Sequence, residues 1–223
     1  MITDLYYDNP EDREENAVGR AAFILTLREN AITNTDLLRA MELVPREMFA
    51  PFRYRDLARS DIALPLPCGQ TMTSPLIVAQ MLHTLKPQAG LSVLEVGTGS
   101  GYVSALLAQL GCHVTTFERH AGLKDMAEAA VSAAGLSEKI DFQFGDGLVR
   151  RLRGISYDRI LLNGALPVIP ETMLALLKKP GSRLVGALST EKLPELIMYE
   201  CDHDKMLHHE QGVAVRLTKL VNG

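Results

Sequence analysis

The chain has 223 residues, 47% of them hydrophobic, a formal charge of −4 and three cysteines, Cys68, Cys112 and Cys201. That is enough apolar material for one large domain with a full core, which excludes a largely disordered chain. The acidic balance argues against a dedicated nucleic-acid binder, which needs a basic face, and three scattered cysteines without a CxxC pair argue against a disulfide framework or a zinc site.

The N-terminus, MITDLYYDNPEDREEN, has no basic segment followed by an apolar run, so it does not read as a signal peptide. No apolar stretch approaches the roughly 18 residues of a membrane span. A cytoplasmic chain with reduced thiols and no membrane partner is expected. Residues 1–16 read as a polar, mobile tail. From 17 to 50 the pattern is helical: Ala22, Ile24, Leu25 and Leu27 fit one helix. Thr33 or Asn34 caps a second over 36–43, with Leu37, Leu38 and Met41 facing inward. Pro45 stops it. Residues 51–73 read as irregular, broken by Pro65, Pro67 and Gly69, and a helix over 75–85 follows, with proline in its first turn.

Strands and helices then alternate. Strands are predicted over 91–96, 113–117, 140–144, 157–162 and 183–188, and helices over 102–110, 123–134 and 170–178. Strands over 196–199 and 213–217 close the chain without a helix between them, so they are expected to be antiparallel at a sheet edge. His203, His208 and His209 fall in a solvated turn between them, the alternative being a metal site. Arg150, Arg151 and Arg153 read as a solvated helix face. The whole predicts an α/β chain with a doubly wound, mainly parallel seven-stranded sheet, an N-terminal helical segment and an antiparallel edge strand. Its divisions are the tail 1–16, a helical covering segment 17–85 and a ligand-binding domain 86–223.

The chemistry concentrates in Glu95-Val96-Gly97-Thr98-Gly99-Ser100-Gly101-Tyr102, between a predicted strand and helix. Glycines there permit a sharp turn and close backbone approach to a ligand. A dinucleotide fingerprint would need glycine where Tyr102 stands, and a Walker loop would need Gly-Lys-Ser/Thr. Glu118 ends the next strand, where a carboxylate can accept from both ribose hydroxyls. Asp146, before Gly147, ends the third strand, where a carboxylate can accept from an adenine amino group. Glu95, at the start of the turn, is a carboxylate that suits a cationic group of a ligand, directly or through water. Alone, each has a plain structural reading: a tight turn, a solvated strand end, a turn former. Together they sit at the carboxyl ends of successive strands, where such folds bind ligands. The turn resembles the first motif of class I S-adenosylmethionine methyltransferases.

Two further segments, Val44-Pro45-Arg46-Glu47-Met48-Phe49 and Gly69-Gln70-Thr71-Met72-Thr73-Ser74-Pro75, carry a narrower likeness. With Gly145-Asp146-Gly147, 166–170 and 177–181, they resemble the protein-L-isoaspartate O-methyltransferases over about residues 17–218. The resemblance implies a Rossmann-like methyltransferase fold and a cytoplasmic repair enzyme. It would methylate isoaspartyl residues of damaged proteins or peptides, with S-adenosyl-L-methionine leaving as S-adenosyl-L-homocysteine. It implies cofactor contacts at Thr71, Thr73, Glu95, Gly97, Thr98, Gly99, Ser100, Gly101, Glu118, Asp146 and Gly147, catalytic hydroxyls at Thr73 and Ser74, and no metal or nucleic acid. Three departures are visible. The family's serine falls on Thr73, Asn163-Gly164 stands where Thr-Ala is common, and the family's C-terminal Val-x-Phe-Val-Pro-Leu reads Val215-Arg216-Leu217-Thr218-Lys219-Leu220. Two alternatives stay open: a relative that methylates a different carboxylate, and a cofactor-binding protein without catalysis. A plainer role for Thr71, Thr73 and Ser74 is to cap the helix at Pro75. Oligomeric state is not legible.

Overall fold

Val93 and Leu94 are neighbours on one strand, and both are fully buried. A strand that is apolar on both faces must be covered on both sides, which forces a layered α/β architecture. The computed structural model describes residues 10–149 and 155–220. Helices α1 (Pro10–Glu29) and α2 (Thr35–Leu43) come first, then strands β1 (Leu64–Pro65) and β2 (Thr71–Met72) and helix α3 (Pro75–Leu85). The alternating part follows: β3 (Ser92–Val96), α4 (Tyr102–Gln109), β4 (His113–Glu118), α5 (Ala121–Ala133), β5 (Ile140–Phe144), β6 (Arg159–Leu166), α6 (Glu171–Leu174), β7 (Arg183–Leu188), β8 (Glu195–Cys201) and β9 (Leu207–Ala214).

Seven strands form one sheet in the order β5-β4-β3-β6-β7-β8-β9. The first five are parallel; β8 runs against β7, and β9 against β8. The connections wind one way from β3 to β5 and the other way from β6 to β7, so the switch point lies between β3 and β6. Strand parity divides the core. Val93, Val114, Leu161 and Val185 face the layer of α2, α3, α4 and α5. Leu94, Val96, Ile160 and Leu162 face Met173, Leu176 and Leu177 around α6. Among the described residues, no helix is long and apolar enough to cross a membrane.

The predicted doubly wound sheet, its N-terminal helices and its antiparallel strand are present, and Asn34 caps α2 by accepting from the Leu37 N–H at 3.0 Å. Several boundaries differ. The first helix starts at Pro10, inside the segment read as a tail, because a polar stretch carries no apolar period to announce a helix. Residues 51–73 are not wholly irregular: β1 and β2 pair through Leu64↔Met72 and Pro65↔Thr71. The helix expected over 170–178 is one α-turn, continued by tight turns such as Leu177 N–H to Leu174 O at 3.0 Å. The last strand ends at Ala214 and not at 217. β9 is solvent-exposed along its length and so lacks the alternation that marks a strand, whereas Val215 and Leu217 are buried elsewhere. Consequently His208 and His209 lie on β9, and only His203 lies in the preceding turn. Arg150, Arg151 and Arg153 lie outside the described residues.

Candidate functional site

The β3–α4 turn sits at the switch point. Gly97, Gly99 and Gly101 all have positive φ, at 95°, 56° and 83°. The Gly97 N–H donates to Phe117 O at 2.9 Å, which ties the turn to β4. Gly101 meets a second demand: a Cβ there would lie 3.0 Å from the Ala127 Cβ and 3.2 Å from its Cα. Only glycine lets α4 pack this closely on α5.

Glu118 ends β4 beside this turn, almost fully buried. Gly99 N–H donates to its Oε2 at 2.9 Å and His120 N–H to its Oε1 at 3.0 Å. Each carboxylate oxygen therefore keeps capacity for one more donor, and its direction is set without a ligand. Asp146, after β5, accepts the Leu148 N–H on Oδ1 at 2.9 Å. Both carboxylates border a cavity of about 260 Å³ whose wall also includes Val96, Gly97, Thr98, Gly99, Ser100, Phe117, Gly147, Leu148 and Asn163. Thr98 Oγ1 lies 2.6 Å from Thr116 Oγ1, which fixes its rotamer.

The far wall is Cys68, Gln70, Thr71, Met72 and Thr73. Its anchor is Arg46, only 3% exposed. The guanidinium donates from Nη1 to Ala58 O at 2.6 Å. From Nη2 it donates to Ile62 O (3.2 Å), Met72 O (3.4 Å) and Thr73 O (2.9 Å). Burial lowers its pKa to about 10, so it stays charged at neutral pH. Thr73 lines the cavity. Ser74 does not border it: it is the N-cap of α3, yet its side chain makes no capping bond. The capping role considered for these hydroxyls is therefore not what Ser74 performs.

Glu95 is the clearest misplacement in the sequence reading. It shares a face with Val93, so its side chain turns under α4 and does not border the cavity. Ser104 Oγ donates to its Oε2, as does Thr116 Oγ1 at 2.8 Å, while Oε1 has no partner. Complete burial pushes its pKa from 4.5 to about 7, opposed by the hydrogen bonds from Ser104 and Thr116. The folded chain thus holds a proton in that window which the unfolded chain has released, so stability falls as pH rises from about 5 to about 7. Glu95→Gln keeps the acceptor and removes the charge. Urea midpoints measured from pH 5 to 8 are expected to fall less in this variant, which gains stability over the parent above pH 7. A parallel fall in both chains would contradict the assignment.

Two of the departures visible in the sequence make contacts that the sequence did not announce. Asn163, in the irregular stretch of β6 between Leu161 and Ala165, donates from Nδ2 to Gly97 O at 3.0 Å. The C-terminal residues 217–220 close the cavity as a strap. Ala165 N–H donates to Thr218 O at 2.9 Å, Leu220 N–H to Ala165 O at 2.8 Å, and the Thr218 and Thr71 hydroxyls are hydrogen-bonded to each other. Elsewhere, His208 Nε2 contacts Asp202 Oδ2 at 2.6 Å, and among the described residues no three His, Cys, Asp or Glu side chains gather to hold a metal ion.

The profile of the protein-L-isoaspartate(D-aspartate) O-methyltransferase family matches residues 19–223. A protein-L-isoaspartate O-methyltransferase of Xanthobacter autotrophicus is 38% identical over 212 residues, covering 95% of this chain and 96% of its own. One from Azorhizobium caulinodans is 39% identical over 212 residues, covering 95% and 97%. A candidate protein-L-isoaspartate O-methyltransferase from Plasmodium falciparum, crystallised with S-adenosyl-L-homocysteine, superposes with a TM-score of 0.79 at 16% identity, covering 90% of this chain and 97% of its own, a likeness of fold.

Proposed function

Because the chain belongs to the protein-L-isoaspartate(D-aspartate) O-methyltransferase family, we infer that it is an S-adenosylmethionine-dependent enzyme that methylates isoaspartyl residues in damaged proteins. The cofactor supplies a methyl group on a positively charged sulfur. The observation that carries the reading is one cavity bordered by the glycine turn, by Glu118 and Asp146, and by the 71–73 wall. The donor set fits an adenosyl ligand. Glu118 offers two oriented acceptors for a ribose diol, Asp146 an acceptor for the base amine, and Val96, Phe117 and Leu148 an apolar slot.

The acceptor is the α-carboxylate freed when the chain runs through the β-carbon of aspartate. It is ionised at neutral pH, so no general base is required. On this reading the protein's work is alignment and exclusion of water. Thr73 is assigned to orient the acceptor carboxylate by a hydrogen bond from its hydroxyl, held in place by Arg46 through the Thr73 carbonyl. Thr73→Ala is expected to lower kcat/KM for the peptide about 30-fold, one hydrogen bond to a charged group being worth about 2 kcal/mol. S-adenosylhomocysteine affinity should change far less; an unchanged kcat/KM would remove the assignment. The partner on this reading is a polypeptide and not a nucleic acid or a membrane, and cytoplasmic action belongs to the same proposal, in keeping with three free cysteines. Labelled-methyl transfer to matched peptides tests it: the isoaspartyl form is expected to be labelled and its aspartyl twin not. Equal labelling of both, or of neither, would contradict it.

A further inference from the structure

Lys219 borders the same cavity as Glu118, Asp146 and Thr73, and among the described residues no carboxylate pairs with its ammonium. It stands where the family's C-terminal segment carries proline. The fold explains why the exchange is tolerated. Residue 219 bridges Ala165 in parallel fashion, but the two bonds that anchor the strap use Thr218 O and the Leu220 N–H. The amide of residue 219 is spare, so proline, which lacks an N–H, and lysine serve the anchor equally. The neighbours fix the position closely. Leu220 sits where a Cβ on Gly164 would be 2.8 Å away and one on Gly97 3.1 Å away, and the Thr218 hydroxyl is bonded to Thr71 on the opposite wall. A cation has therefore been added to a strap already held between β6 and the 71–73 wall.

We propose that Lys219 is a specificity residue, whose ammonium draws the acceptor's carboxylate to the mouth of the cavity. The assignment rests on the methyl-transfer reading above. In that reaction a carboxylate lone pair forms the O–CH3 bond while the S–CH3 bonding pair passes to sulfur, leaving a neutral ester and a neutral thioether. Negative charge on the acceptor is thus being lost in the transition state. A cation beside it stabilises the bound carboxylate more than the transition state, so its contribution appears in KM and not in kcat.

The test is steady-state kinetics with an isoaspartyl peptide on the full chain, alongside calorimetric titration of S-adenosylhomocysteine. Lys219→Met is expected to raise the peptide KM about 3- to 5-fold, the scale of an exposed ion pair, with kcat equal or higher. Its KM should depend less on salt than that of the parent, Lys219→Arg should restore the parental value, and S-adenosylhomocysteine affinity should not change. An unchanged KM and salt dependence would overturn the proposal. So would weakened S-adenosylhomocysteine binding with an unchanged peptide KM, which would assign the ammonium to the cofactor's own carboxylate. Absence of turnover by the parent chain would instead overturn the functional reading, and this assignment with it.

Discussion

Replacing Arg46 with methionine is expected to lower unfolding stability by about 3 kcal/mol or more and to abolish methyl transfer. The side chain is 3% exposed and donates to four backbone carbonyls, at residues 58, 62, 72 and 73. Of the four, only Met72 lies on a strand, β2, and the carbonyls of Ala58, Ile62 and Thr73 belong to turns and loops. Methionine fills much of the volume but leaves buried acceptors without donors, each costing roughly 1–3 kcal/mol before the loops relax. The carbonyls lie on two segments that the guanidinium joins, so losing it separates the 71–73 wall from its support and loosens Thr73. Lysine cannot substitute, because one ammonium does not span a planar fork; Arg46→Lys should remain destabilised by more than about 1 kcal/mol. Urea denaturation monitored by circular dichroism checks both. A loss below about 0.5 kcal/mol, the range of an ordinary surface substitution, would contradict this view of the wall.

Glu118→Ala is expected to weaken S-adenosylhomocysteine binding about 100-fold, as read by calorimetric titration. Hydrogen bonds to a charged group contribute roughly 1.5–3 kcal/mol each, and two ribose hydroxyls are available to this carboxylate. The Gly99 and His120 N–H groups aim it before any ligand arrives, so little ordering cost offsets the gain. The same substitution leaves the Gly99 N–H without its acceptor, which loosens the turn and adds to the loss. Glu118→Gln keeps one acceptor oxygen but turns an NH2 group toward a backbone donor, so its affinity should fall between the two. Affinity within threefold of the parent in Glu118→Ala would show that the ribose is not held at this strand end.

The parts of the site that were legible in the sequence are those governed by local rules. A glycine turn between a β-branched strand and an apolar helix has few meanings, and Glu118 and Asp146 stand where their strands must end. Thr73 and its neighbours were found through a segment likeness, not through chemistry. Glu95 was misjudged for a reason the sequence already contained: strand parity pairs it with Val93, away from the face of Leu94 and Val96. Arg46 was passed over as a role because its four acceptors lie 12 to 27 residues further along the chain. The C-terminal strap was read as a strand because Val215 and Leu217 alternate, yet that alternation seats them in the core beside Ala165, while the true edge strand, 207–214, is exposed and shows no period. In each of the last two cases a non-local backbone partner decided the outcome, and composition carries no record of such partners.

The central claim is that the tips of β3, β4 and β5 converge on one adenosyl ligand. A crystal structure of the chain grown with S-adenosyl-L-homocysteine tests it most directly. The ribose should meet Glu118, the adenine amino group Asp146, and the base should lie between Phe117 and Leu148. A ligand seated elsewhere, or carboxyl groups at 118 and 146 turned away from sugar and base, would contradict the account.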